Sequence, residues 1–437
     1  VVSSSSERRA AVLALIRVEQ GAFASRLLQP VASPGVRARV LGVLRWLSAL
    51  DWVLRRHVRS GLERLDPEVR AVLRLGLYEA VYLGVPIPVA TDAAVRLTGS
   101  LGKGSARGLV NAVLRRATAG YGAELEGAPE HVRWCHPRWL VRRWKAAFGD
   151  RAADEAFASD QEPAPLWAWL AGSDTRAALE ADGVVLEVHP WCPGAWRAPA
   201  DPAALARAVA RGDAYAQDPA SQLVAHVAAR LWDGLAPGTP RLCADLCAAP
   251  GGKAALLGRL RPGLELICLD LQLTRARLVR RLGSRLAGQP GLPVVVADAG
   301  APPLQPSGLG LVLLDAPCSG SGTLRRHPEL RWRLSVAELE RLATAQMRLV
   351  AAALELLAPG GVLLYSTCSV EPEENERLLG EPLDAEISRF ERCELASLLP
   401  ASSGAIPTSS GGARLLPSTL NDGFTMHAVR RGVQTVI

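Results

Sequence analysis

No two cysteines in the chain are spaced as C-x-x-C, and only three of its 50 basic residues are lysines. The first absence removes the usual zinc and redox spacings. Eight cysteines in 437 residues are also too few for a disulfide scaffold. A reduced, cytoplasmic setting is expected, with no bound metal. No uninterrupted apolar stretch reaches the roughly 18–20 residues of a membrane span. The Ser-rich residues 1–9 lack the apolar core of a signal peptide. Neither secretion nor membrane insertion is therefore expected. The scarcity of lysine, in a chain rich in Arg, Ala, Leu and Gly, has a different meaning. Arginine here reflects compositional bias as much as function, so the retained Lys103, Lys145 and Lys253 are more informative.

What is present is ample apolar material, with 49% hydrophobic and 21% charged residues. That excludes wholesale disorder. The length suits two to four domains at about 100–200 residues each. The formal net charge is +7, unevenly spread. Residues 1–120 hold 18 basic and 8 acidic side chains, a net of +10, and the remainder sums to −3. The excess points to a polyanionic partner for the N-terminal part.

Apolar spacing of three and four predicts helices at 10–18, 37–50, 67–83 and 107–117. Asp66-Pro67-Glu68 predicts a helix start with Asp66 as cap. The Gly/Ala/Glu-rich stretch 120–130 reads as a linker. A helix at 136–148 and short strands at 165–170 and 183–189 follow. After Gly238 strands are expected at 241–246, 264–270, 293–297, 310–314 and 361–365. Helices at 274–286 and 336–357 fall between them. Alternation of this kind implies a mostly parallel sheet covered by helices, with ligands at the carboxyl ends of its strands.

The segment 245–253, DLCAAPGGK, joins the first of these strands to its helix. Adjacent Gly251 and Gly252 permit a tight turn and close backbone approach to a ligand. The segment matches neither the phosphate loop nor the dinucleotide fingerprint. Asp270, Asp298 and Asp315 are placed at the ends of the next three strands. In that order they suit ribose hydroxyls, an adenine amine and an ammonium group, which together describe S-adenosylmethionine. Helix capping explains one such acid as well, but not three in sequence beside a glycine loop.

Cys318, in DAPCSG, and Cys368, in STCSV, lie just past the fourth and fifth strands on this ligand-binding edge. Cys243, Cys247 and Cys268 read as core fillers, and Cys135, Cys192 and Cys393 have no distinguishing context. A thiol pair beside a methyl donor suggests methylation of cytosine at carbon 5. Thiolate addition at carbon 6 makes carbon 5 nucleophilic. The adduct must then lose the carbon-5 proton and expel the thiol, which calls for a second acid/base group. An attacking thiol needs a lowered pKa, and the cation of Lys253 could contribute to it.

At these residues the chain resembles the Nol/Nop/Sun RNA cytosine-C5 methyltransferases, most closely the bacterial RsmB/Sun branch acting on 16S ribosomal RNA. The matching segments are 245–253, LLDAPCSGSGTLRRHPELRW at 313–332 and STCSVEPEENE at 366–376. Weaker matches are GDAYAQDPASQLVA at 212–225 and DGF at 422–424. Residues 78–95 and 108–116 resemble NusB-type RNA-binding helical domains.

The resemblance implies a multidomain fold. An all-α NusB-like domain spans 1–122, a small mixed α/β connecting domain 131–235 and a Rossmann-like methyltransferase domain 236–437. It implies that Cys368 is the nucleophile and that Cys318 assists release of the methylated base. S-adenosylmethionine is placed on Cys247, Ala248, Ala249, Pro250, Gly251, Gly252, Lys253, Asp270, Asp298 and Asp315, and Asp315 also reaches the target cytosine. Relatives often have a second acid two residues after Asp270, where this chain has Gln272. The expected partner is small-subunit ribosomal RNA, met by a monomer with Arg325, Arg326 and His327 on its phosphates. The alternatives are a tRNA or other RNA target, or a non-catalytic ribosome-assembly factor.

Overall fold

The computed structural model describes residues 4–28, 32–286, 291–380 and 389–433. They fall into two compact units. One comprises Val1–Pro163 with Leu324–Arg333, the other Ala164–Thr323 with Leu334–Ile437.

The first unit is helical. Helices Ser5–Glu19, Pro34–Arg45, Leu47–His57, Pro67–Val81, Ile87–Ser100 and Arg107–Glu126 enclose a core that includes Val12, Val40, Leu50, Leu54, Leu73, Val110 and Leu114. The single helix expected at 37–50 is broken at Trp46 into two. The helix Ile87–Ser100 had no strong periodic signal, because its buried face is built of small residues such as Ala90, Ala93 and Ala94. The stretch expected as a linker is instead helical through Glu126, where Tyr121 is buried. Asp66 precedes its helix but does not cap it. Its carboxylate pairs with Lys103 at 2.9 Å. Lys145 likewise serves an ion-pair cluster, with Glu130 and, at 3.1 Å, Asp154.

Residues 131–163 group with this helical unit. Trp144 stacks on Phe157 with ring centroids 5.3 Å apart, and buried His136 binds Asp160 at 3.1 Å. The distant segment Leu324–Arg333 joins them through Arg331, which is fully buried. Its guanidinium donates to the carbonyl oxygens of Cys135 at 2.9 Å, Asp160 at 3.1 Å, Arg45 at 3.3 Å and Leu324 at 3.4 Å. Buried carbonyls left without donors are costly. Arg331→Met should destabilise this unit by roughly 3 kcal/mol. An earlier first transition in urea unfolding would show it, and an unchanged transition would contradict it. Arg325 lies in the same segment and is only 2% exposed. It therefore does not present its charge to solvent as expected for phosphate contact, whereas Arg326 and His327 are half-buried.

The second unit contains two sheets. Strands β1 (Ala168–Leu170), β2 (Glu187–Val188), β3 (Ala195–Arg197) and β4 (Ala214–Ala216) form a small antiparallel sheet in the order β2-β3-β1-β4. The large sheet contains β5 (Leu242–Asp245), β6 (Glu265–Asp270), β7 (Val294–Val296), β8 (Leu309–Asp315) and β9 (Leu357–Thr367). It is completed by β10 (Phe390–Cys393), β11 (Ile406–Pro407), β12 (Ala413–Leu415) and β13 (Phe424–Arg431). The order is β11-β12-β13-β9-β8-β5-β6-β7, with β10 beside β13. Strands β5 to β9 are parallel to their neighbours among themselves, and β13 runs antiparallel to β9.

Residues 309–314 of β8 are buried throughout, as a central parallel strand requires. The five parallel strands form where alternation predicted them. The C-terminal antiparallel strands were not anticipated. The chain leaves β5 to β6 on one side and reaches β8 on the other. This order reversal opens a crevice at the carboxyl ends of β5 and β8. Among the described residues no helix is long and apolar enough to cross a membrane.

Candidate active site

The loop after β5 follows from its local sequence. Asp245 ends the strand and accepts from the Cys247 N–H at 3.3 Å. Gly251 takes φ +108°, a conformation that disfavours other residues, and helix Gly252–Leu260 starts at once. A Cβ on Gly252 would lie 2.4 Å from the Tyr215 ring, so only glycine fits this approach. Together these elements line a cavity of about 180 Å³. Asp245, Cys247, Ala248, Ala249, Pro250, Gly252, Lys253 and Asp315 form its wall with Tyr215, Ala216, Gln217 and Ser221.

Asp270 and Asp298 do not line that cavity. Asp270 ends β6, accepts from the Gln272 N–H at 3.0 Å and lies 3.4 Å from Arg275. Asp298 is two residues beyond β7, so it does not end the strand as expected. Its carboxylate accepts both terminal nitrogens of Arg348, at 2.9 and 3.1 Å. These contacts with Arg348 and the Gly300 N–H hold its pKa below the usual aspartate value.

Lys253 is the third retained lysine, and it differs from the other two. Its ammonium donates to Asp315 Oδ2 at 2.6 Å and sits 5.1 Å from the centre of the Phe424 ring. Burial opposes its charge, but attraction to Asp315, followed by Cys368 and Asp245, raises its pKa above the ordinary lysine value. The other oxygen of Asp315 accepts from Ser366 Oγ at 2.9 Å. Asp245 is 1% exposed. Burial and the Asp315 charge push its pKa up to about 7.

Cys318 and Cys368 meet. Their sulfurs are 3.2 Å apart, although 50 residues separate them in sequence. Both are half-buried. The two turns that carry them are stitched together: the Gly322 N–H donates to the Cys368 carbonyl at 2.9 Å, and the Val370 N–H to Ser321 Oγ at 3.0 Å. The hydrogen bond with Cys368 and burial, then the charges of Cys368 and Glu374, push the Cys318 thiol well above the usual cysteine range. Cys135, Cys192, Cys243 and Cys268 are fully buried. Cys247 is half-buried and lines the cavity, so it is more than a core filler.

The site thus joins a glycine cradle, an acid-rich cavity, a half-buried cation and two touching thiols. Residues 234–429 match the family model for 16S rRNA methyltransferase RsmB/F, and residues 5–119 match the NusB family. A ribosomal RNA small subunit methyltransferase B from Xanthomonas campestris is 35% identical over 364 residues, 80% of each chain. The chain belongs to the RsmB family of ribosomal RNA methyltransferases. The corresponding Sodalis glossinidius protein is 31% identical over 387 residues, 82% of this chain and 84% of that one. The crystal structure of PH0851 has the same fold, with TM-score 0.75 and 24% identity over 98% of this chain and 99% of that one. The all-helical part is accordingly NusB-like and the large sheet a Rossmann-like methyltransferase fold.

Sequence reasoning singled out neither Tyr215, Gln217 and Ser221 in the cavity wall nor Ser319, Gln346, Ser366 and Glu374 around the thiols. Tyr215, Gln217 and Ser221 lie in the weakly matching segment 212–225, and Ser319, Ser366 and Glu374 in the strong ones. Gln346 carried no signal, being one polar residue on a helix of 21.

Proposed function

We propose that the chain methylates carbon 5 of a cytosine in small-subunit ribosomal RNA, using S-adenosylmethionine and a transient Cys368–cytosine bond. The single observation carrying this reading is the 3.2 Å approach of Cys318 and Cys368 at the strand edge that holds the glycine cradle. The cavity wall fits a cationic amino-acid group, because it carries two carboxylates, Asp245 and Asp315, and burial together with the Asp315 charge makes Asp245 costly to ionise. S-adenosylmethionine, when bound, supplies the methyl group. The 247–253 backbone would hold it, with Asp270 accepting from ribose hydroxyls. Asp298 would serve the adenine amine by sharing an oxygen now held by Arg348.

Cys368 adds through its sulfur to carbon 6 of the cytosine, and carbon 5 becomes the nucleophile. After methyl transfer the carbon-5 proton leaves, the carbon 5–carbon 6 double bond re-forms and Cys368 departs as thiolate. Cys318, hydrogen-bonded to Cys368, assists this release. Lys253 supplies positive charge beside Cys368, and Asp315 holds Lys253 and reaches the cytosine. The base must leave any stack to reach these groups. The functional division assigned is RNA binding at 1–122, a connecting domain at 131–235 and catalysis at 236–437, in a monomer working in the cytoplasm. Exposed Arg115 and Arg116 of the NusB-like part are available to phosphates.

The test incubates the full chain with methyl-labelled cofactor and unmodified 16S rRNA, followed by nucleoside analysis. Label in 5-methylcytidine is expected. Label appearing only in tRNA overturns the target, and no label in any RNA overturns the enzyme reading.

A further inference from the structure

Cys318 sits in a turn with no regular structure of its own between β8 and the short helical turn Ser321–Thr323. Such a turn does not by itself fix a thiol to a fraction of an ångström. Here, however, both peptide groups flanking Cys318 are held by buried side chains. On one side, Gln346 Nε2 donates to the Pro317 carbonyl at 2.8 Å. On the other, the Ser319 N–H donates to Glu374 Oε1 at 2.8 Å. The Ser319 hydroxyl donates to Glu374 Oε2 at 2.5 Å, and the same Gln346 amide donates to Glu374 Oε1 at 3.0 Å. Glu374 and Gln346 are 0% and 1% exposed.

The carboxylate therefore has three donors on it and no basic partner among them. A buried acid is expensive unless its charge is satisfied this way. For fold alone a neutral acceptor would do. A carboxylate at this position adds a charge next to the thiol of Cys318.

Glu374 is itself anchored to the other thiol's strand. Its carbonyl accepts from the Tyr365 hydroxyl at 2.7 Å, on β9. The next residue, Asn375, donates to the carbonyls of Ser369 at 3.2 Å and Glu371 at 2.7 Å, and accepts from Thr367 Oγ1 at 2.8 Å. Adjacent residues of one short turn thus grip the two cysteine loops, Glu374 the Cys318 turn and Asn375 the Cys368 turn.

We infer that Glu374, braced by Gln346, is the positioning residue for Cys318 in release of the methylated base. It fixes the thiol's direction through both neighbouring peptide groups and holds a negative charge beside it. The inference rests on the release role proposed for Cys318. The same charge contributes to the raised pKa of that thiol, after its hydrogen bond to Cys368 and its burial. Glu374 touches neither cysteine sulfur, so its action on the reaction is exerted through Cys318.

The experiment compares wild type, Cys318→Ala, Glu374→Gln and Gln346→Ala, all as full chains. Rates of covalent protein–RNA adduct formation and of adduct release are measured separately across pH. Glu374→Gln keeps the shape and removes the charge. It should form adduct at close to the wild-type rate, but its release rate on the high-pH plateau should be about tenfold lower, because the thiolate of a more acidic thiol is a weaker base. Without the charge the Cys318 thiol ionises more readily. The pH profile of release should therefore move to lower pH while that of adduct formation stays in place. Gln346→Ala loosens the Pro317 side but keeps Glu374, so it should slow release with a smaller pH displacement.

Equal slowing of both steps with an unmoved pH profile would reduce Glu374 to a structural role and overturn the inference. So would wild-type release in both Glu374→Gln and Gln346→Ala when Cys318→Ala accumulates adduct. If Cys318→Ala itself releases normally, it is the proposed release role that fails. If Glu374→Gln does not fold, Gln346→Ala decides by the same two rates.

Discussion

Cys368→Ala should lower the rate of methyl transfer by about 10⁴-fold or more, the scale of losing a covalent nucleophile. Cofactor affinity should change little, because Cys368 does not line the cavity beside the glycine cradle. The size of the loss follows from the chemistry. Carbon 5 of cytosine is a poor nucleophile, and no other group at the site offers an equivalent activation. Cys318 is a poor substitute, since its burial and the Glu374 charge, which remain when the Cys368 thiol is gone, favour the neutral thiol. Steady-state rates and cofactor titration of the variant check this. Retention of more than about a tenth of the wild-type rate would show that Cys368 is not the nucleophile.

Asp245→Asn should make the methyltransferase unit markedly more stable in mild alkali. Asp245 ordinarily titrates at 3.8 but is pushed to about 7 in the fold by burial and by the Asp315 charge. The folded unit then holds the proton more tightly than the unfolded chain. This group's contribution is complete below about pH 4 and is lost as pH rises through about 7. The gap corresponds to on the order of 4 kcal/mol between those limits. Asparagine retains an acceptor for the Cys247 N–H and removes the titration. Urea unfolding of the variant should therefore depend less on pH between 4 and 8, with the gain over wild type greatest at pH 8. A variant less stable than wild type at pH 8 would contradict the assignment. The cost of the wild-type acid is intelligible if Asp245 serves a cationic ligand.

Much of this site was legible because its parts sit in short contiguous motifs. The loop 245–253 showed its glycines, and strand alternation placed Asp270, Asp315, Cys318 and Cys368 on one edge. Sequence spacing could not show that the two sulfurs touch. That contact depends on β8 and β9 being neighbours and on adjacent Glu374 and Asn375 gripping one loop each. Nor could it show that Arg348 occupies Asp298, since that partner comes from a helix 50 residues on. Arg325 was misread because a charged residue in an Arg-rich stretch looks solvated. Its burial arises from the docking of Leu324–Arg333 onto helices far earlier in the chain. Of the three lysines, the scarcity argument separated none. The motif 245–253 singled out Lys253, and geometry adds that Lys103 and Lys145 pair with acids of the helical unit while Lys253 pairs with Asp315.

The division of labour between the thiols is tested most directly by trapping the adduct. Cys318→Ala and Cys368→Ala are each incubated with cofactor and unmodified 16S rRNA, denatured, and digested to map the cross-linked peptide. Cys318→Ala should accumulate a covalent protein–RNA species with the nucleotide on Cys368, and Cys368→Ala should form none. Adduct accumulating in Cys368→Ala with the nucleotide on Cys318 would contradict the account.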